Sequence, residues 1–189
     1  MCIRDRDITL NFFYSKPIPN SLRTRIKNII EADSVTLAEL GQLNKKIGYL
    51  FAAAINESIE KAKLKKNKVK CVAISGQTIR HDVVCANPFS MQIGDPNVVS
   101  NETGLITISD FRNMHISLGG EGAPLVTEFH NELFYSSRKS KIILNIGGIA
   151  NYSYIKNNDG ASSLFKRIDF HSTQIESSTI KIKTLKEYV

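Results

Sequence analysis

Gly76-Gln77-Thr78-Ile79-Arg80-His81, Met91-Gln92-Ile93-Gly94-Asp95-Pro96, Ser109-Asp110-Phe111-Arg112 and Gly119-Gly120-Glu121-Gly122-Ala123-Pro124-Leu125 follow one another along the chain. Each sets glycine or proline beside an amide, carboxylate, guanidinium or imidazole, and each follows or joins a short apolar run. Glycine lets backbone come close to a ligand, and polar side chains at strand ends point into the space above a sheet. One such cluster alone reads as an ordinary turn. Four in series read as the rim of a pocket.

The runs around these clusters predict the fold class. Residues 69–74 read as a strand buried on both sides, with Cys71 as a buried thiol suited to a reducing cytosol. Residues 76–81 are then the turn after it, and 89–93 a second short strand. Asp95 before Pro96 marks a helix start, and Gly104 closes that helix two turns later. Residues 105–109 read as the next strand, leaving Asp110 and Arg112 at its carboxyl end, and 124–134 as a helix. Upstream, 8–14 reads as a strand ended by Pro17 and Pro19, and 21–30 as a short helix. Thr36 and Glu39 form a capping box opening a long helix. Leu37, Leu40, Leu43, Ile47, Leu50 and Phe51 fall on one face of it.

Downstream, the polar residues 135–140 are the best domain boundary. Residues 141–144 and 149–155 read as strands joined by a tight Gly147-Gly148 turn. Beyond Asn157-Asn158-Asp159-Gly160 the pattern of apolar spacing is lost. The expected layout is a non-native scar over 1–7, a first domain over 8–139, the opening hairpin of a second over 140–160, and an off-pattern tail over 161–189. Strands alternating with helices make the class α/β with a mixed sheet.

Composition narrows the function. The 189 residues leave room for one domain and part of another. No apolar run approaches the ~20 residues of a membrane span, so no membrane partner is expected. Cys2, Cys71 and Cys85 are not pair-spaced, so neither a zinc site nor a disulfide framework follows, and no metal ligand is assigned. The net charge of +7 raises nucleic-acid binding as a rival function. Yet six lysines (Lys61, Lys63, Lys65, Lys66, Lys68 and Lys70) crowd one predicted helix end, without the interleaved aromatics of a stacking platform. They read as a solvated face serving the helix dipole, and no nucleic-acid partner is expected.

Several side chains carry candidate chemistry. Arg112 is a natural fork for a carboxylate or phosphate, with Asp110 either sharing the ligand or holding the guanidinium in place. Gln77 and Asp95 suit sugar hydroxyls, which need both donors and acceptors. His81 and His115 are candidates for proton transfer or for structural hydrogen bonds. The Asn145-Ile146-Gly147-Gly148 turn reads as a phosphate nest or as a plain hairpin. Neither a P-loop nor a dinucleotide fingerprint is present.

Together with Leu144-Asn145-Ile146-Gly147-Gly148-Ile149-Ala150-Asn151, the four opening clusters resemble, in wording, order and spacing, the motifs of the anhydro-N-acetylmuramic acid kinases. The resemblance covers about residues 8–155. It implies two actin-like (ribonuclease H-like) sugar-kinase domains with the active site between them, a cytoplasmic location and a role in peptidoglycan recycling. It implies ATP and Mg2+ as cofactors and an amino sugar as substrate. The 1,6-anhydro ring is opened by water and O6 is phosphorylated, in a full-length protein that can be a homodimer. Gln77, His81, Asp95, Asp110 and Arg112 would then bind substrate, and Gly147 and Gly148 the nucleotide phosphates. Where the family carries a Gly-Phe-Asp-Thr-Gly-Pro motif with the general base, this chain reads Arg167-Ile168-Asp169-Phe170-His171-Ser172-Thr173, so Asp169 is the candidate base. No match to the family's opening phosphate loop is found, so the expectation is a fragment of such a kinase, with an inactive fragment that keeps at most sugar or partner binding as the alternative.

Overall fold

In the computed structural model, described for residues 10–123, 125–146, 149–155, 157 and 173–174, Thr36 opens the longest helix as its hydroxyl accepts from the Glu39 backbone N–H at 3.1 Å. That helix, α2 (Leu37–Lys61), packs on α1 (Asn20–Glu31). The chain then runs through β1 (Val72–Ala73), β2 (Gln77–Asp82), β3 (Phe89–Ile93), α3 (Pro96–Thr103), β4 (Thr107–Ile108), α4 (Phe111–Ser117) and α5 (Thr127–Phe134). It ends in β5 (Lys141–Ile146), β6 (Ile149–Ile155) and β7 (Thr173–Gln174). The class is mixed α/β: β1 and β4 pair in parallel, β2 and β3 antiparallel, and β5, β6 and β7 antiparallel.

Two compact units divide the chain, one of them Thr9–Leu125 and the other containing Val126 onward. The division falls ahead of the polar 135–140 segment that the sequence favours as a boundary. The reason is α5, whose His130 ring bonds the Ser153 hydroxyl of β6 at 2.8 Å and stacks obliquely on Phe134.

In the first unit the core joins Ile26 and Ile29 of α1 to Leu43 and Ile47 of α2 and to Ile93 of β3. Leu37, grouped with that face by spacing, is instead exposed at the helix start. The turn leaving β3 is stitched to α2: Asn44 accepts the Gly94 N–H through Oδ1 at 2.7 Å, and its carbonyl accepts the Asp95 N–H at 3.2 Å. Gly94 has φ 118°, and an added Cβ would lie 2.5 Å from the Phe51 ring. Only glycine fits there.

Four expectations need correcting. Residues 10–14 are not a strand, for residues 10–19 have no regular structure. It is held instead by side chains, as Tyr14 and Lys16 both hydrogen-bond Glu57 of α2. Residues 76–81 are no turn: only Gly76 takes a positive φ, and Gln77–Asp82 pairs with β3 as a hairpin strand. The strand predicted over 69–74 shrinks to Val72–Ala73, paired on one side with β4, so Cys71 lies outside it and is exposed. α2 also ends at Lys61, ahead of a positive-φ Lys63, so most of the lysine cluster lies beyond the helix and its dipole. Helix α4 was not foreseen, and Thr173–Gln174 adds a short third strand within the off-pattern tail. Among the described residues no helix is long and apolar enough to cross a membrane.

Candidate functional site

The β2–β3 hairpin carries a cluster of hydrogen-bonded polar side chains in the first unit. Thr78 opposes Gln92, Arg80 opposes Met91 and His81 opposes Ser90, so Ile79 is one extra residue on β2. Side chains alternate faces along a regular strand, which would set Thr78 and His81 on opposite sides. The bulge cancels that and brings both beside Ser90 and Gln92.

The four side chains are hydrogen-bonded in series. The His81 Nδ1 meets the Ser90 Oγ at 2.9 Å, and the Gln92 Nε2 donates to the same Oγ at 2.6 Å and to the Thr78 Oγ1 at 3.4 Å. Helix α4 extends the series, since Asn113 accepts the Ser90 N–H through Oδ1 at 3.0 Å and donates from Nδ2 to the Asp110 Oδ1 at 2.8 Å. His81 and Asp110 are thus joined through Ser90 and Asn113. Asp110 has φ 61°, a left-handed backbone that turns β4 sharply into α4. Ser90 is buried, and His81 and Asp110 are exposed. A buried hydroxyl leading to exposed donors and acceptors is suited to reading a hydroxylated ligand.

The loop after α4 folds back on it. The Arg112 Nη1 donates to the Gly122 carbonyl at 2.8 Å, and the Gly122 N–H donates to the His115 Nδ1 at 3.2 Å. Buried polar atoms are almost always paired. Among the described residues two are not, the acceptor Gln92 Oε1 and the donor Arg112 Nε.

The sequence candidates therefore divide. His81 and Asp110 enter one network. Arg112 turns to Gly122 rather than to Asp110. The Gln77 Nε2 bonds the neighbouring Thr78 carbonyl at 3.0 Å. Asp95 is buried against α2, where one carboxylate oxygen caps α3 through the Asn97 N–H at 2.8 Å and the other pairs with the Lys45 Nζ at 2.6 Å. The Lys45 ammonium and the two cap N–H groups hold the Asp95 carboxyl below its ordinary range against the opposing effect of burial. Gly147, Gly148 and Asp169 lie outside the described residues. Thr78, Ser90, Gln92 and Asn113 were not singled out beforehand as site residues. The polar Ser90 and Gln92, alternating between Phe89, Met91 and Ile93, are the signal that could have marked them.

Residues 2–164 match the sequence profile of the family described as Anhydro-N-acetylmuramic acid kinase. The chain belongs to this family. A relative from Gamma-proteobacterium EBAC31A08, named Anhydro-N-acetylmuramic acid kinase, is 61% identical over 150 residues, covering 79% of this chain and 41% of its own length. The protein of the same name from Mannheimia succiniciproducens is 39% identical over 142 residues, 75% of this chain and 38% of its own. That from Vibrio cholerae is 36% identical over 158 residues, 84% of this chain and 43% of its own. The chain thus spans about two-fifths of the length of the family members it matches. The hairpin, α4 and the glycine loop all fall inside the matched residues.

Proposed function

We propose that this chain is the sugar-binding portion of a kinase that opens 1,6-anhydro-N-acetylmuramic acid with water and phosphorylates O6, yielding N-acetylmuramic acid 6-phosphate. The observation that carries the reading is the family match over residues 2–164. The hydrogen-bonded face of β2, β3 and α4 supports the reading by its chemistry. A sugar hydroxyl both donates and accepts, so it can partner a carboxylate, an amide and an imidazole in turn.

In this reading His81 and Asp110 meet sugar hydroxyls directly, with Ser90 and Asn113 fixing their orientation. Arg112 keeps one arm on Gly122, and its Nε is a buried donor without a protein acceptor. Gln77 begins the same strand, and Asp95 supports the site through α3 and Lys45. The elements belong to an actin-like kinase fold of the cytoplasm, with a homodimer as the expected full-length assembly. Gly147 and Gly148 are assigned to the nucleotide phosphates and Asp169 to the attacking water. ATP would supply the phosphoryl group and Mg2+ would neutralise its charge. Among the described residues no three His, Cys, Asp or Glu side chains converge on a cation; Mg2+ in kinase sites rests on one or two carboxylates together with the nucleotide phosphates.

Titration of the 189-residue chain with 1,6-anhydro-N-acetylmuramic acid, followed by amide NMR, tests the reading. Shifts centred on His81, Ser90, Gln92 and Asn113, and weakened at least tenfold in His81→Ala and Asp110→Ala, are expected. Shifts elsewhere, or none at millimolar sugar, would falsify it.

A further inference from the structure

Both backbone groups of Gly122 are held by side chains from one turn of α4: its carbonyl by Arg112 and its N–H by the His115 Nδ1. The turn itself is closed by backbone, with the Gly119 N–H on the Ile116 carbonyl and the Gly120 N–H on the His115 carbonyl, each at 2.9 Å. The imidazole is wedged into the loop, since a Cβ on Gly120 would lie 2.2 Å from its Nε2. Gly120 is thus the residue that makes room for the ring.

A backbone N–H can only donate. The contact with Gly122 therefore requires an unprotonated Nδ1, which places the proton of the neutral ring on Nε2. In imidazolium both nitrogens carry protons, and the Nδ1–H would face the Gly122 N–H, donor against donor.

From this geometry we infer that His115 is a positioning residue, a proton-sensitive latch that holds the 119–122 loop, and through Gly122 the Arg112 guanidinium, only while its ring is neutral. Histidine in general changes charge between about pH 5 and 8, which is the range over which the latch is to be followed. The charged groups on the elements packed here are Asp110 and Arg112 on α4 and Glu121 in the loop. β3 carries no titratable residue, and β2 beyond it carries Arg80, His81 and Asp82. The consequence for sugar binding rests on the proposed function; the latch itself does not.

The experiment follows the Gly122 amide of the full 189-residue chain by NMR shift and hydrogen exchange from pH 5 to 8. It compares the native chain with His115→Asn, whose Oδ1 accepts near the Nδ1 position without titrating, and His115→Ala. The native Gly122 amide should lose protection roughly 3- to 10-fold as His115 protonates, about what one hydrogen bond supports. It should stay protected throughout in His115→Asn and be unprotected throughout in His115→Ala. A Gly122 amide indifferent to the His115 titration overturns the inference, as does His115→Asn behaving like His115→Ala. Sugar titrations at both ends of the range report separately: binding absent at every pH counts against the proposed function, while the Gly122 amide decides the latch.

Discussion

Asp95 shows how a residue chosen for chemistry can be engaged in structure. The Lys45 ammonium first, then the Asn97 and Val98 N–H groups, hold its carboxyl low. A carboxyl depressed in the folded state adds stability above its unfolded value and loses it as pH falls through the folded value. Asparagine also caps helices well, so Asp95→Asn isolates the charged pair with the half-exposed Lys45. The variant should be less stable by about 1 kcal/mol at pH 7, discounted for solvent screening. The gap should narrow between pH 7 and an acid pH below the ordinary carboxylate range, as the Asp95 carboxyl takes up its proton. Urea unfolding at the two pH values checks this, and a gap that persists in acid would exclude the ion pair as its source. Gly94 offers a sharper case. Gly94→Ala drives a methyl into the Phe51 ring at a backbone angle that alanine disfavours, so a loss above about 2 kcal/mol is expected. Thermal melts will report it, and a native-like midpoint would show that Phe51 yields freely.

Among elements, the segment before α1 holds the clearest lesson. Residues 10–14 have strand-like composition but no strand partner, and Tyr14 and Lys16 fasten the segment to α2 instead. The Glu57 carboxyl is held below its ordinary range by Lys16 and then Tyr14, and Lys16 is raised in turn by Glu57. The signs bracket neutrality: the carboxylate's contribution fades on acidification and the ammonium's fades in strong base. Lys61 adds a cation over the Tyr14 ring, 4.2 Å from its centroid. Glu57→Gln should therefore raise amide exchange through residues 10–16 while leaving exchange in the Leu43–Ile47–Ile93 core unchanged. Native exchange in the same segment should rise as pH falls below about 4. Core exchange rising in parallel would mean that Glu57 supports the whole unit. α4 was missed for a related reason. Its seven residues are begun by a left-handed Asp110 without a side-chain cap and closed by the loop it packs on, so no local signal announces it.

At the scale of the whole molecule, the +7 charge is concentrated in lysines that lie past the end of α2 and are exposed. Retention on DNA should be weak, vanish by roughly 0.2 M salt as released counterions dictate, and fall further in a Lys65→Gln, Lys66→Gln, Lys68→Gln chain. Tight binding surviving at that salt in the native chain would point to a nucleic-acid role. Legibility followed the range of the interaction concerned. The α2 cap at Thr36, the Asp95-Pro96 start and Gly104 close of α3, strand β3 and the β5–β6 pair could all be read from sequence. Caps, prolines and alternating apolar residues act within a few positions and carry their physics locally. The family was legible too, because its motifs are short contiguous words. The strand character of β2 was decided only by pairing with β3, seven to sixteen positions away. So was the bulge at Ile79 that turns Thr78 and His81 to one face, and so were the diversion of Asp95 to Lys45 and of Arg112 to Gly122. Those choices depend on register and on which donors the packed elements bring within reach, and both are properties of the folded chain.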